Sequence, residues 1–194
     1  MKKLLTALLV LAAAATLRAN TDGYVMLSVF HPGQIPIATT SLDGIRLNII
    51  YGECQNLNGF DIGISGRVRE RMNGLQVCGL NLIGTDANGT QLALVNYNES
   101  DFAGFQFGFW NCIGGEGHGF LLGAWNDAMK FSGFQMGIVN WTHDCHGFQL
   151  GLINRAFQGN FLQIGLVNVN GNAVNPDNGK HEAKWILPLV DWNW

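Results

Sequence analysis

The octet Gly104-Phe105-Gln106-Phe107-Gly108-Phe109-Trp110-Asn111 returns as Gly133-Phe134-Gln135-Met136-Gly137-Ile138-Val139-Asn140, and again as Gly147-Phe148-Gln149-Leu150-Gly151-Leu152-Ile153-Asn154. Self-similarity at a fixed period signals a repeat architecture. Working outward, repeats begin at Gly44, Gly59, Gly74, Gly89, Gly104, Gly119, Gly133, Gly147 and Phe161. The spacing is fifteen residues five times and then fourteen three times. Nine tandem repeats thus run from 44 to 170.

Each octet position has its own character. The second, fourth and sixth are mostly apolar, and on a strand they share one side. The third is Gln at Gln76, Gln91, Gln106, Gln135, Gln149 and Gln163. The fifth is small, as in Gly108 and Gly137, and the seventh bulky, as in Trp110 and Trp125. The eighth is Asn at Asn81, Asn96, Asn111, Asn126, Asn140, Asn154 and Asn168. The connectors between octets read as polar and variable. Alternation followed by a turn is a strand signal, and a helix would not tolerate this glycine density.

The expected fold is therefore all-β: a single-domain β-solenoid with one 14–15-residue repeat per coil. Equivalent residues then stack about 4.8 Å apart. Asn and Gln suit such columns, because each amide donates to one neighbour and accepts from the other. The expected ladder residues are the seven Asn above together with Gln106, Gln135, Gln149 and Gln163. The alternative is an up-and-down outer-membrane β-barrel of 8–10 strands, one per octet. Membrane strands need about nine to eleven residues, and these octets are slightly short.

The composition agrees. The chain has 194 residues, 26 of them Gly, with 47% hydrophobic and only 13% charged residues. Low charge with many aromatics excludes intrinsic disorder. Residues 1–19 read as a signal peptide: a basic start at Lys2 and Lys3, an apolar run from Leu4 to Ala15, and a small residue, Ala19, at the cleavage site. Its removal takes away Lys2, Lys3 and Arg18. The 11 basic residues fall to eight against 14 acidic ones, a net charge of −6. That balance excludes a nucleic-acid partner. Residues 20–43 form an N-terminal cap, and 171–194 a C-terminal cap. In the latter, Leu187, Leu189 and Asp191 align with Ile164, Leu166 and Asn168 as a degenerate tenth repeat. Repeat stacks need such atypical ends to blunt exposed sheet edges.

The chain resembles a group of exported bacterial surface repeat-containing proteins, built from tandem Gly-Leu-Gln-x-Gly-Leu-x-Asn units after a signal peptide. Leu27-Ser28-Val29-Phe30-His31-Pro32 resembles their opening, Gly44 to Gly52 their first unit, and Leu187 to Trp194 their aromatic ending. The Gln-x-Gly-x-x-Asn core is also similar to curli subunits, from which the shorter period and bulkier octets set this chain apart. The resemblance implies export to the periplasm, outer membrane or cell surface.

No catalytic motif is present: there is no Gly-x-Ser-x-Gly elbow, Walker loop or Cys-x-x-Cys. His143-Asp144-Cys145-His146 holds three metal-ligand types. A second cluster would be needed, and only Glu116 and His118 offer one, two coils away, so the run reads as a connector. Gly114 to Gly119 lacks the repeated aspartates of a calcium turn. Connector carboxylates such as Asp86, Asp101 and Glu116 read as scattered over different connector positions, as on a solvated edge. Trp110 and Trp125 read as core or membrane-facing, although on an outer face they could stack a sugar. Cys54, Cys78, Cys112 and Cys145 lie in alternate repeats at four different positions. Alternate coils are about 9.6 Å apart, beyond the roughly 7 Å reach of a disulfide, so four free thiols are expected. The functional expectation is an exported, non-enzymatic envelope or surface protein with a structural or adhesive role and no cofactor. Its envelope partner is unspecified, and membrane association is possible. The alternatives are a small outer-membrane pore or anchor and, remotely, a carbohydrate-active solenoid enzyme.

Overall fold

The computed structural model describes residues 22–171, 184–186 and 189–193. The signal-peptide reading and the turn Asn175 to Gly179 lie outside the described residues. Among these the chain is all-β, and it winds as a β-solenoid of about ten turns. The elements are β1 (Asp22–Phe30), β2 (Gly33–Ile35), β3 (Ser41–Cys54), β4 (Leu57–Val68), β5 (Met72–Ile83), β6 (Ala87–Leu92), β7 (Val95–Asn98), β8 (Phe102–Gln158), β9 (Phe161–Gly165), β10 (Val167–Asn170), β11 (Lys184–Ile186) and β12 (Leu189–Asn193). Successive coils pair in parallel at the repeat spacing. Gly44, Gly59, Gly74, Gly89 and Gly104 stand in register, as do Gln76, Gln91 and Gln106. At the far end the offset becomes fourteen, with Gln149 opposite Gln163. β8 holds four such coils with scarcely a break.

The up-and-down barrel is overturned by this pairing. A barrel of that kind joins sequential strands antiparallel, whereas every repeat here lies parallel on the one before. Among the described residues antiparallel pairs occur only at the ends: β2 on β1, β12 on β9 and β11 on β10. The degenerate tenth repeat is corrected as well. β12 runs back along β9, so Asp191 lies opposite Gln163 and Val190 opposite Ile164. It is a reversed capping strand, not a further coil, and Leu187 lies outside the described residues.

Each repeat begins with a glycine for two reasons. The backbone there is left-handed, at φ +139° for Gly104 and +120° for Gly119, a region that L side chains avoid. A Cβ at either position would also collide with the carbonyl oxygen of the glycine one coil below. The ninth repeat begins with Phe161, and the left-handed residue there is Gly159, two places earlier.

The orientation of the octets decides what the molecule presents to its surroundings. The amides of the third and eighth positions point inward: Gln76, Gln91, Gln106, Asn96, Asn111 and Asn126 are fully buried. The apolar second, fourth and sixth positions point outward. The apolar part of the interior comes instead mainly from connector residues, in one column two places before the starting glycines and in another nine places after them. Leu57, Met72, Ala87, Phe102 and Phe131 form one such column, and a second holds Val68, Ile83, Ile113 and Ala128. Apolar residues of this kind drive burial at about 25 cal/mol per Å².

Candidate functional site

Two internal ladders fix the octets. In the first, the Asn81 amide donates to Asn96 at 2.8 Å, and the same bond continues through Asn111, Asn126, Asn140, Asn154 and Asn168 at 2.8–2.9 Å. The second amide hydrogen is also used. Asn96, Asn111, Asn126, Asn140 and Asn154 each donate to the fourth-position carbonyl of the next coil, at 2.9–3.1 Å. The small fifth position makes room for this arrangement. A Cβ on Gly108 would stand 2.9 Å from Asn96 Nδ2 and 3.0 Å from Asn111 Oδ1.

The Gln ladder runs the other way. Gln163 donates to Gln149 at 2.7 Å, Gln149 to Gln135 at 2.7 Å, Gln106 to Gln91 at 2.8 Å and Gln91 to Gln76 at 3.3 Å. Its donor end meets a carboxylate, with Gln76 donating to Asp61 at 2.8 Å. Aligned amide dipoles reinforce one another, and Asp61 places negative charge at the positive end of the row. Asp61 also takes a two-pronged bond from Arg46, at 2.9 and 2.6 Å, and one from Asn48 at 2.6 Å. Burial is the largest influence on Arg46 and opposes its charge, but the hydrogen bond to Asp61 and the attraction of Cys54, Asp61 and Cys78 together outweigh it, and the guanidinium pKa lies above its ordinary value. Arg46 and Asp61 thus continue the Gln column into the first two coils. Opposite Asn81 in the preceding coil the Asn column gives way to Gly66, where a Cβ would run into the Asp61 carboxylate and stand 2.8 Å from Gln76 Nε2 and 3.0 Å from Arg46.

The Gln ladder breaks once. Leu121 occupies the third position between Gln106 and Gln135 and is fully buried. Gln106 Oε1 and Gln135 Nε2, the two atoms facing it along the column, have no hydrogen-bond partner.

Outside, the second, fourth and sixth positions form one continuous sheet face. It is apolar in every repeat except at Thr90 and Gly79, and it carries no charge. Phe60, Ile64, Leu94, Phe109 and Phe120 each expose more than half of their surface. Phe134 and Phe148 stack along it with centroids 5.0 Å apart, and Phe120 tilts against Phe134 at 6.0 Å. A groove of about 810 Å³ runs along the middle of the face. Its walls are the fourth- and sixth-position side chains and its floor is the small fifth positions Ala93, Gly108, Gly123, Gly137 and Gly151. Soluble monomers rarely expose so long an apolar patch unless it docks something.

The remaining candidates do not converge on a reactive centre. Trp110 and Trp125, expected in a core or against a membrane, are each 45% exposed on the adjoining face. Farther along that face Arg155 lies over the Trp141 and Phe157 rings at 4.1 and 4.2 Å, and His143 stacks on Phe157. The His143–His146 run splits apart: Cys145 turns into the core, while His146 pairs with Asp144 at 3.1 Å. Glu116 and His118 pair with each other at 3.3 Å. The connector carboxylates are less scattered than their spacing suggests. Asp86, Asp101 and Glu116 share one column and line a polar dent of about 240 Å³, in which Asp101 accepts the Glu116 backbone N–H at 2.7 Å. All four cysteines are free. Burial pushes the thiols of Cys54 and Cys112 up to about 11, and those of Cys78 and Cys145 up to about 12. No protein-family profile, curated protein or solved structure matches the chain.

Sequence reasoning identified the amide columns but not which side of the octet faces out. It also missed the connector core. Its signal was available: Leu57, Met72, Ala87, Phe102, Phe131 and Cys145 each stand two residues before a starting glycine.

Proposed function

We propose that the protein is an exported, non-enzymatic component of the cell envelope with a structural or adhesive role. The observation that carries this reading is the uncharged apolar face, held on a rod whose ladder amides, apart from the break at Leu121, are spent on internal hydrogen bonds. A surface of this kind docks; it does not hold and polarise a substrate, which requires convergent polar groups. The thiols support the same reading. A nucleophilic cysteine needs a lowered pKa, and all four here are raised. The N-terminal Lys2-Lys3 and apolar run supply the export signal.

Fractionation of cells producing the chain, with N-terminal sequencing, tests this reading. The expected result is a protein that begins at Asn20 and leaves the envelope fraction only with detergent. A cytoplasmic chain that retains its first residues would overturn export.

A further inference from the structure

We infer that the apolar face is the contact surface of a homodimer, in which two copies pack face to face and antiparallel. The inference rests on reading that face as a docking surface, and it commits to the occupant.

Size is the first argument. From the first repeat to β12 the face spans ten strands, roughly 43 Å at the strand spacing. The second to sixth positions cover about 13 Å of each strand. Two copies in contact bury roughly 1,100 Å² in all, which clears the ~1,000 Å² that a specific interface needs. The ends of the rod are unsuited to the task, because β2, β11 and β12 close them with antiparallel strands.

Charge is the second argument. The mature chain is acidic, so an anionic lipid surface would repel it, and no Lys or Arg lies on the face to offset that. A second copy is equally acidic elsewhere, but the two contacting faces bring no like charges together.

Relief is the third. Consider a two-fold axis in the contact plane, along the strands, between the repeats that begin at Gly104 and Gly119. It sets each octet position opposite the same position of the partner copy. Phe109, the most prominent side chain of its repeat at 68% exposed, then meets Ala124. Leu152 meets Gly79, and Phe134 meets Thr90. Both small residues of the sixth-position column face a bulky one, and the only polar residue faces a ring. A two-fold interface must be complementary to itself in this way, and alternating large and small side chains lets two sheets interlock.

Sedimentation equilibrium of the purified mature chain, residues 20–194, tests the inference. The wild type is expected to be a dimer. Ala124→Phe fills the recess and weakens association about a hundredfold. Phe109→Ala combined with Ala124→Phe exchanges knob and recess and restores the dimer. Phe109→Glu, at an exposed site that leaves the coil interior untouched, gives a folded monomer. A wild-type monomer overturns the inference, as does a dimer indifferent to Ala124→Phe and Phe109→Glu. A monomer that binds phosphatidylcholine vesicles would assign the face to lipid instead. These measurements are made in solution, so their outcome is separate from the fractionation result on export.

Discussion

Leu121 is where the logic of the single residue is most exposed. A buried leucine contributes about 1.5–3 kcal/mol by leaving water. Here it also separates Gln106 Oε1 from Gln135 Nε2 and leaves both without partners. Each such orphan costs about 1–3 kcal/mol. Leu121→Gln extends the ladder, accepting from Gln135 and donating to Gln106. The expected outcome is a variant as stable as the wild type or up to about 3 kcal/mol more stable, read from urea unfolding. Leu121→Ala repairs nothing and is expected to lose about 2–5 kcal/mol. If Leu121→Gln loses as much as Leu121→Ala, the ladder is energetically idle. The converse substitution is Asn140→Ala, which strands Asn126, Asn154 and the Leu150 carbonyl together. It is expected to cost at least 1–3 kcal/mol, whereas the exposed connector change Glu99→Ala should cost a few tenths at most. The columns themselves were legible in the sequence, because a residue that recurs at a fixed place in every repeat must stack on itself in a solenoid. Their direction was not, since the orientation of an amide is set by what it meets at the ends of the row, here Asp61.

An octet strand alternates, and alternation says which residues share a side without saying which side is inside. The apolar side of these octets is the outer one because of the coil's small bore. The fifth position is pressed against the Asn ladder and must be small, so the interior takes short self-pairing amides where it could not take stacked phenylalanines. The apolar core was displaced to the connectors, whose overall polarity hid one regular apolar column. The strand-to-strand step depends on the starting glycines, and Gly119→Ala tests it. An alanine there must adopt φ +120° and press its Cβ into the Gly104 carbonyl. The expected loss is at least about 3 kcal/mol or a failure to fold. An ordinary outcome, within about 0.5 kcal/mol, would mean that the coils are not stacked at this contact.

At the scale of the whole molecule, a net acidic rod hides its ladder amides and three of its four thiols, with Cys112 half-buried, and shows an apolar face. The buried thiols give it a pH limit. Their folded pKa values, at about 11 and 12, lie above the ordinary value of 9.0. The folded state therefore keeps protons that the unfolded chain releases, and by linkage stability falls as pH rises. The thiol contribution is fully present below about pH 9 and is lost progressively toward pH 11–12. The urea midpoint should drop between pH 8 and pH 10.5, and less so when Cys78 and Cys145 are replaced by Ala. An equal drop in that variant would place the alkaline sensitivity elsewhere.

The octets are turned with amides inward and apolar side chains outward, one coil per repeat. Nuclear Overhauser contacts among the side-chain amides of a perdeuterated, amide-protonated sample test this most directly. Asn111 should show contacts to Asn96 and Asn126, and Asn140 to Asn126 and Asn154, with side-chain amide protons exchanging slowly with water. Asn and Gln amides that exchange freely, with no contacts at fourteen- or fifteen-residue spacing, would contradict the account.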